Sequence, residues 1–382
     1  MESSSISFLR KGTEMETSYY PCHLNLGGLH AEIRCFSEET IPYFLRYMNP
    51  FASRKVDFTV SGDDIHWEGL SKERLKEEPF LEYTYIMLPI GDQLLNYRRC
   101  IFHGVAFLWR DKAYIFTGPS GTGKSTQYKR WREVFRDETS ILNGDKPILE
   151  WCADDSFVVH PSPWRGKECY GSNRTAPLGG IIYLEQANRN QIKLITPDEA
   201  VIPIYNQFFF ASDSKGAVRN ACALVNALVT HVPLWKLENL ADTEAVLIAS
   251  RAIEEYEDDI QECSQRCCDK IQQVKKPDFI GNNGLYKGKE SPPYKVHPGI
   301  VSAEICGRSF LMAVRTARQD CPRILEMNEY AAFCWPYLEK ESDIEQLIRA
   351  IMVHYNVNRE EAVSGLNVFM KQLEEHHYIV RN

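Results

Sequence analysis

The sequence contains no apolar run near the ~20 residues that a membrane-crossing helix needs; Ala221 to Val229 comes closest and is interrupted by Asn226. Its start, Met1-Glu2-Ser3-Ser4-Ser5, lacks the charged and apolar regions of a secretory signal, so a cytoplasmic location with no membrane partner is expected. Positive charge is not in excess either. Lys and Arg number 44 against 52 Asp and Glu, a net charge of −8, which argues against a general nucleic-acid binder. Paired C-x-x-C spacing and internal repeats are absent, although cysteine itself is plentiful at 12 residues. In a reducing compartment these are expected as thiols. Cys263 and Cys267 fall in register with Ile253, Tyr256, Ile260, Ile271 and Val274, at steps of three and four, which reads as the apolar stripe of a helix rather than a metal site.

A length of 382 residues suggests two or three domains. Residues 1–105 read as strand-rich, with a hairpin from Val56–Val60 to Ile65–Glu68 and a β-prone run at Tyr83–Leu88. Residues 106–252 hold strand-like segments at 148–151, 157–160 and 180–184 and helices at 213–229 and 243–256. Residues 253–296 form an amphipathic helix ended by Lys276-Pro277, then a glycine- and proline-rich linker. Residues 297–382 pair a hairpin around Cys306-Gly307-Arg308-Ser309 with three helices, started by Asn328, by a Ser342-x-x-Glu345 box and by an Asn358-x-x-Glu361 box. That pattern suggests a small winged-helix-type module.

The segment Gly118-Pro119-Ser120-Gly121-Thr122-Gly123-Lys124-Ser125-Thr126 fits G-x-x-x-x-G-K-[ST] at every fixed position. An apolar strand-like run, Ala113–Thr117, precedes it, and a helix-like run, Gln127–Phe135, follows. Strand, glycine loop and helix is the context in which backbone N–H groups cradle phosphates and a helix N-terminus favours an anion. Gly118, Ser120, Gly121, Thr122, Gly123, Lys124, Ser125 and Thr126 are therefore expected to bind ATP or another nucleoside triphosphate, with Lys124 on its β- and γ-phosphates and the Ser125 hydroxyl on Mg²⁺. Phosphoryl transfer also needs a carboxylate. Asp145, in Asn143-Gly144-Asp145-Lys146, is preferred over Asp154-Asp155, which reads as a turn.

The order His103-Gly104, then the glycine loop, then Asp145 resembles the HPr serine kinase/phosphorylase superfamily, whose nucleotide core is that of phosphoenolpyruvate carboxykinases. The run Ser162-Pro163-Trp164-Arg165-Gly166-Lys167-Glu168 through Gln186 is similar to HPr-kinase-like proteins of peptide-modification systems. The resemblance implies an α/β (α+β) fold with a strand-rich N-terminal part, and catalytic roles for His103, Lys124 and Asp145, with Ser125 and Asp145 on the metal. It also implies oligomers. Family enzymes carry Asp-Asp at the strand end where this chain has Gly144-Asp145, and HPr itself is not the expected substrate. Arg165, Lys167 and Arg174 are candidate contacts for phosphate or an acidic acceptor, with a solvated basic loop as the alternative.

Residues 297–382 resemble the PqqD-like recognition element of ribosomal-peptide biosynthesis, from Leu325-Glu326-Met327-Asn328 through Trp335 to the last two amphipathic helices. The resemblance implies capture of a precursor's leader peptide as an added strand at a sheet edge. DNA is the less favoured partner: Arg323 to Asn382 holds six basic and ten acidic residues. The combined expectation is a kinase for Ser or Thr of a ribosomally made peptide. The alternative is a nucleotide-binding peptide scaffold without catalysis.

Overall fold

Gly27 and Gly28 sit at φ 61° and 84°, the left-handed pair that a tight hairpin turn demands, and join strands β1 (Tyr20–Leu26) and β2 (Leu29–Cys35). The computed structural model describes residues 19–49, 55–168, 170–266 and 294–381, arranged as two compact units, Met1–Pro89 and Ile90–Asn382. In the first unit β3 (Phe58–Ser61) joins β2 in parallel, and helices α1 (Lys72–Glu77) and α2 (Pro79–Tyr85) follow.

Two expectations fail in this unit. The Val56–Glu68 hairpin does not form, because Asp64 Oδ2 accepts from Ser61 N at 2.7 Å and caps a turn directly after β3. The Tyr83–Leu88 run is helical. Pro79 opens α2, and buried Glu82 accepts from Phe36 N and Thr40 Oγ1, both at 2.6 Å, so tertiary bonds override β-propensity. Helix α3 (Met87–Leu95) carries the chain across the division after Pro89, earlier than residue 105.

The second unit is built on a ten-stranded mixed sheet. Its first strands are β4 (Arg99–Phe102), β5 (Gly104–Trp109) and β6 (Lys112–Thr117), followed by helix α4 (Lys124–Phe135). Then come β7 (Thr139–Asn143), β8 (Ile148–Trp151), β9 (Phe157–His160), β10 (Ala176–Gln186), β11 (Gln191–Leu194), α5 (Pro197–Tyr205), β12 (Phe208–Phe209), α6 (Lys215–His231), β13 (Leu234–Asn239) and α7 (Thr243–Arg266). The strand order is β12-β4-β8-β9-β10-β6-β5-β7, with β13 beside β10 and β11 beside β13. The three segments expected at 148–151, 157–160 and 180–184 are all strands. Strand β10 is the join of the sheet: its start pairs antiparallel with β9, its end parallel with β6 and β13. Gly179 and Gly180 sit at the change, where a Cβ would strike the Tyr114 and Trp235 rings at 2.8 and 2.4 Å.

Strands β5 and β6 are buried on both faces, so each face feeds a separate core. Val105, Phe107, Trp109, Tyr114 and Phe116 meet Tyr128 and Trp131 of α4 and Val246, Ala249 and Ile253 of α7. Ala106, Leu108 and Ile115 meet α5 and α6 on the other side. The apolar stripe expected along α7 holds for Ile253 but fades by Ile260, which is 47% exposed. Cys263, Cys267, Cys268 and the linker lie outside the described side chains.

The C-terminal part contains β14 (Tyr294–Val296), β15 (Ile300–Ile305), β16 (Arg308–Ala313), β17 (Ile324–Glu326), helices α8 (Glu329–Glu339), α9 (Ile344–Tyr355) and α10 (Arg359–Glu375), and β18 (Ile379–Arg381). The hairpin and three helices are as expected. Asn328 caps α8, and the Asn358–Glu361 box caps α10. Helix α9 is capped by Asp343, one residue later than the Ser342 box implied. The sheet β15-β16-β17 presents one face to α8–α10 and the other to the core: Val301, Ile305, Phe310, Met312, Val314 and Ile324 belong to the same buried cluster as α5 and α6. Among the described residues no helix is long and apolar enough to cross a membrane.

Candidate active site

The loop after β6 is shaped by glycine. Gly118, Gly121 and Gly123 have φ of 135°, 86° and 93°, a region that residues with a Cβ rarely enter. A Cβ on Gly118 would also lie 2.8 Å from Leu184 O. Helix α4 begins at Lys124 with Gly123 at its N-cap and no side chain capping it, so its first N–H groups are open to an anion. Lys124 folds back to donate from Nζ to Gly118 O at 2.9 Å and Pro119 O at 3.0 Å. Ser120, Gly121, Ser125 and Thr126 are exposed. A cavity of about 420 Å³ lies beside the loop, between Pro119–Thr122 and Tyr183–Gln186. A loop with glycine at its three positive-φ positions, an ammonium held against it and an exposed hydroxyl at the helix start fit a triphosphate with Mg²⁺.

Beside the loop, the structure gathers His103, Asp145 and Lys124. His103 lies between β4 and β5, and Asp145 follows β7 in a turn set by Asn143. Asn143 is fully buried. Its Oδ1 accepts from Asp145 N at 3.0 Å and Lys146 N at 2.8 Å, while its Nδ2 donates to Ser162 O and Oγ. His103 Nε2 lies 3.6 Å from Asp145 Oδ1, and Lys146 Nζ pairs with Asp145 Oδ2.

The tautomer of His103 follows from Gln207. Gln207 Nε2 donates to Pro203 O at 3.3 Å, which turns its Oε1 toward His103 Nδ1 at 3.1 Å. An amide oxygen only accepts, so Nδ1 carries the proton and Nε2 presents a lone pair toward Asp145. Burial, helped by the charges of Lys124 and Lys146, pushes the imidazole down to about 4 despite the opposing pull of Asp145. Burial likewise lowers Lys124. His103 is thus a neutral base facing a carboxylate, and a proton or a cation placed between them would satisfy both.

The imidazole's shift has a sign. An unfolded His protonates near 6.5, whereas this one stays neutral to about 4, so the unfolded chain takes up more protons between those values. The His103 contribution to stability is present above pH 6.5 and is lost as pH falls toward 4. Denaturant midpoints for wild type and His103→Gln, measured from pH 4 to 7, should diverge only in that window. Parallel curves would contradict the buried neutral assignment.

Gly144 explains the missing second carboxylate. A Cβ there would lie 2.7 Å from Arg165 O and 3.2 Å from Tyr170 O, because Gly144 N donates to Tyr170 O at 3.0 Å and Lys146 N to Trp164 O at 3.1 Å. The connection between β9 and β10 therefore occupies the space of that side chain. Gly144→Asp is expected to disturb this connection and lower the melting temperature by about 5 °C or more, without creating a double-acid site. A stable variant with raised activity would refute the steric reading.

The backbone of Arg165 lies against Gly144, while Lys167 and Arg174 stand exposed on the same connection and take no part in the cluster of His103, Lys124 and Asp145. Three residues escaped the sequence reading as site residues. Lys146 adds a second ammonium, Gln207 fixes His103, and Phe209 packs edge-on to His103 at 5.7 Å with Lys146 5.0 Å over its ring. Adjacency to Asp145 was the only signal for Lys146. Gln207 is 104 residues from its partner and had none. Among the described residues no group of three or more His, Cys, Asp or Glu could hold a metal alone, so any Mg²⁺ would need the nucleotide's oxygens as well.

Fold and site together define a mixed α/β protein with a glycine phosphate loop and an appended recognition-type module. The module is a PqqD domain: residues 309–379 match the family model described as Coenzyme PQQ synthesis protein D (PqqD). Among solved structures the chain is similar to TbiB1 in complex with the TbiA(beta) leader peptide, at 22% identity over 22% of this chain and 93% of that one, TM-score 0.20. It is also similar to the Hpr(Ser) kinase/phosphatase from Coxiella burnetii, at 8% identity over 44% of this chain and 95% of that one, TM-score 0.27. No curated protein matches the chain.

Proposed function

We propose that the protein is an ATP-dependent kinase acting on Ser or Thr of a ribosomally made peptide. The observation that carries this reading is the convergence of Lys124, His103 and Asp145 beside an open phosphate loop. Residues Gly118–Thr126 hold the triphosphate through backbone N–H groups, and Ser125 with Asp145 would hold Mg²⁺. When bound, the metal offsets charge on the β- and γ-phosphates. Lys124 and Lys146 supply further positive charge where it develops in transfer. Asp145 accepts the proton of the acceptor hydroxyl, and the neutral Nε2 of His103 orients or shares that proton.

The PqqD match at 309–379 supports a peptide as the acceptor. Strand addition at the edge of β15-β16-β17 would tether the peptide and raise the acceptor's local concentration. Labelled ATP and Mg²⁺, incubated with the protein and the short peptides encoded beside its gene, test the reading. Label transferred to a hydroxyl supports it; nucleotide binding without transfer to any of them favours a non-catalytic scaffold.

A further inference from the structure

The chain from Gln207 to Asp213 touches the candidate active site with one set of groups and the C-terminal module with another. Gln207 O accepts from His103 N at 2.8 Å, Gln207 Oε1 faces His103 Nδ1, and the Phe209 ring meets the imidazole edge-on. The intervening residues are held by the module. Arg323 Nη2 donates to Phe208 O at 2.7 Å, and its guanidinium lies 5.0 Å from the Tyr205 ring and 5.2 Å from that of Phe210. Arg318 lies 5.9 Å from Phe210, Arg315 N donates to Ser212 O at 3.0 Å, and Arg315 Nε pairs with Asp213. From Gln207 to Phe210 the contacts alternate as they do in an extended strand, in which neighbouring residues face opposite ways; the chain leaves that conformation by Ser212, at φ 55°.

We propose that the C-terminal module completes the His103 site, with Arg323 as a positioning residue that acts through Phe208 and Gln207. The inference rests on the reading of His103 as a site residue. Arg323 immediately precedes β17 and binds the two-residue strand β12 from the side opposite His103. The ladder of β12 with β4 is only the pairs Phe208–Phe102 and Phe209–Ile101, and Phe208 and Phe210 are buried in the core, so Arg323 adds a bond on the edge of the strand that faces away from β4. An arginine fork of fixed planar shape, seated against the rings of Tyr205 and Phe210 and bonded to Phe208 O, sets where Gln207 presents its amide. The amide in turn sets which nitrogen of His103 carries the proton. The consequence is that a peptide-recognition module and a phosphoryl-transfer site share one short strand.

The test is the tautomer of His103 in the full-length chain, read from imidazole ¹⁵N shifts of ¹⁵N-histidine-labelled protein. The chain has 10 histidines, so the His103 signals are picked out by their loss in His103→Gln. Wild type should give the Nδ1–H form. Arg323→Gln should lower the ratio of Nδ1–H to Nε2–H about ten-fold, the scale of one hydrogen bond. Arg323→Lys keeps the charge and one donor and should fall between. Gln207→Leu should move the ratio at least as far as Arg323→Gln. A His103 spectrum in folded Arg323→Gln that overlays wild type overturns the proposal. If that variant does not fold, an unchanged ratio in Arg323→Lys overturns it instead. The measurement needs no turnover, whereas transfer of label by wild type tests the kinase reading, so either can fail alone. Where transfer is seen, Arg323→Gln should lower kcat about ten-fold with KM for the nucleotide unchanged; the reverse split would mean that Arg323 acts on binding.

Discussion

Asp145→Asn is expected to slow phosphoryl transfer by about 10²–10⁴-fold, the range of a lost general base. Nucleotide binding should be nearly untouched. In the proposed site the phosphates would be held by the backbone of Gly118–Thr126 and by Lys124, whose Nζ rests on Gly118 O and Pro119 O rather than on Asp145. The turn that carries Asp145 should also survive, because Asn143 Oδ1 holds the main-chain N–H of Asp145 and Lys146, not the carboxylate. The variant removes a charge and a proton acceptor but keeps the shape. Lys146 loses its ion-pair partner and can turn toward the phosphates, while Mg²⁺ would lose a carboxylate, opposing changes that should keep the nucleotide Kd within about ten-fold of wild type. Single-turnover transfer from labelled ATP and the nucleotide Kd by calorimetry separate the two effects. A transfer rate equal to wild type would remove Asp145 from the mechanism, and a Kd weakened by more than about ten-fold would place it in binding instead.

The parts of this molecule written in local chemistry were legible in the sequence. The phosphate loop needs glycine at particular positions and a strand and helix on either side, all in the one stretch from Ala113 to Phe135. The starts of α8 and α10 were equally plain, because Asn328 and Asn358 cap through their own side chains. Strand β6, buried on both faces along most of its length, announced itself as the apolar run Ala113–Thr117. What failed was decided at a distance. The Tyr83–Leu88 run has strand-like composition, yet Glu82 is drawn into bonds with Phe36 and Thr40, more than forty residues away, and the chain coils. Gly144 read as a lost carboxylate, when the fold had filled its side-chain space with the backbone of Arg165 and Tyr170. His103, Lys124 and Asp145 could be named from their order, but not the neutral state of His103. The neutral state depends on burial and the tautomer on Gln207, and neither leaves a mark near residue 103.

Deleting residues 297–382 is expected to unfold or aggregate what remains rather than release an independent kinase core. Composition suggested a separable module after a linker, but the packing does not. Val301, Ile305, Phe310, Met312, Val314 and Ile324 lie in one buried cluster with Val201 and Ile204 of α5 and Val218, Leu224 and Leu228 of α6. Each such side chain contributes about 1.5–3 kcal/mol when fully buried. Even discounted for a compact unfolded state, six of them approach the roughly 5–15 kcal/mol that holds a whole domain together. The polar seam would be lost as well: Cys306 N to Asn226 Oδ1 at 2.9 Å, Arg308 to Asp198 at 3.4 Å, Arg315 to Asp213, and Arg323 to Phe208 O. The shortened chain would also expose an apolar face of α6, which favours association. Soluble yield and thermal melts of the full chain and of residues 1–296 decide the matter, with an expected fall in Tm of about 10 °C or more if the short chain folds at all. A soluble short chain melting within a few degrees of the full one would mean that the shared cluster contributes little. The module would then be an appendage, and the route from Arg323 to His103 would lose its structural basis.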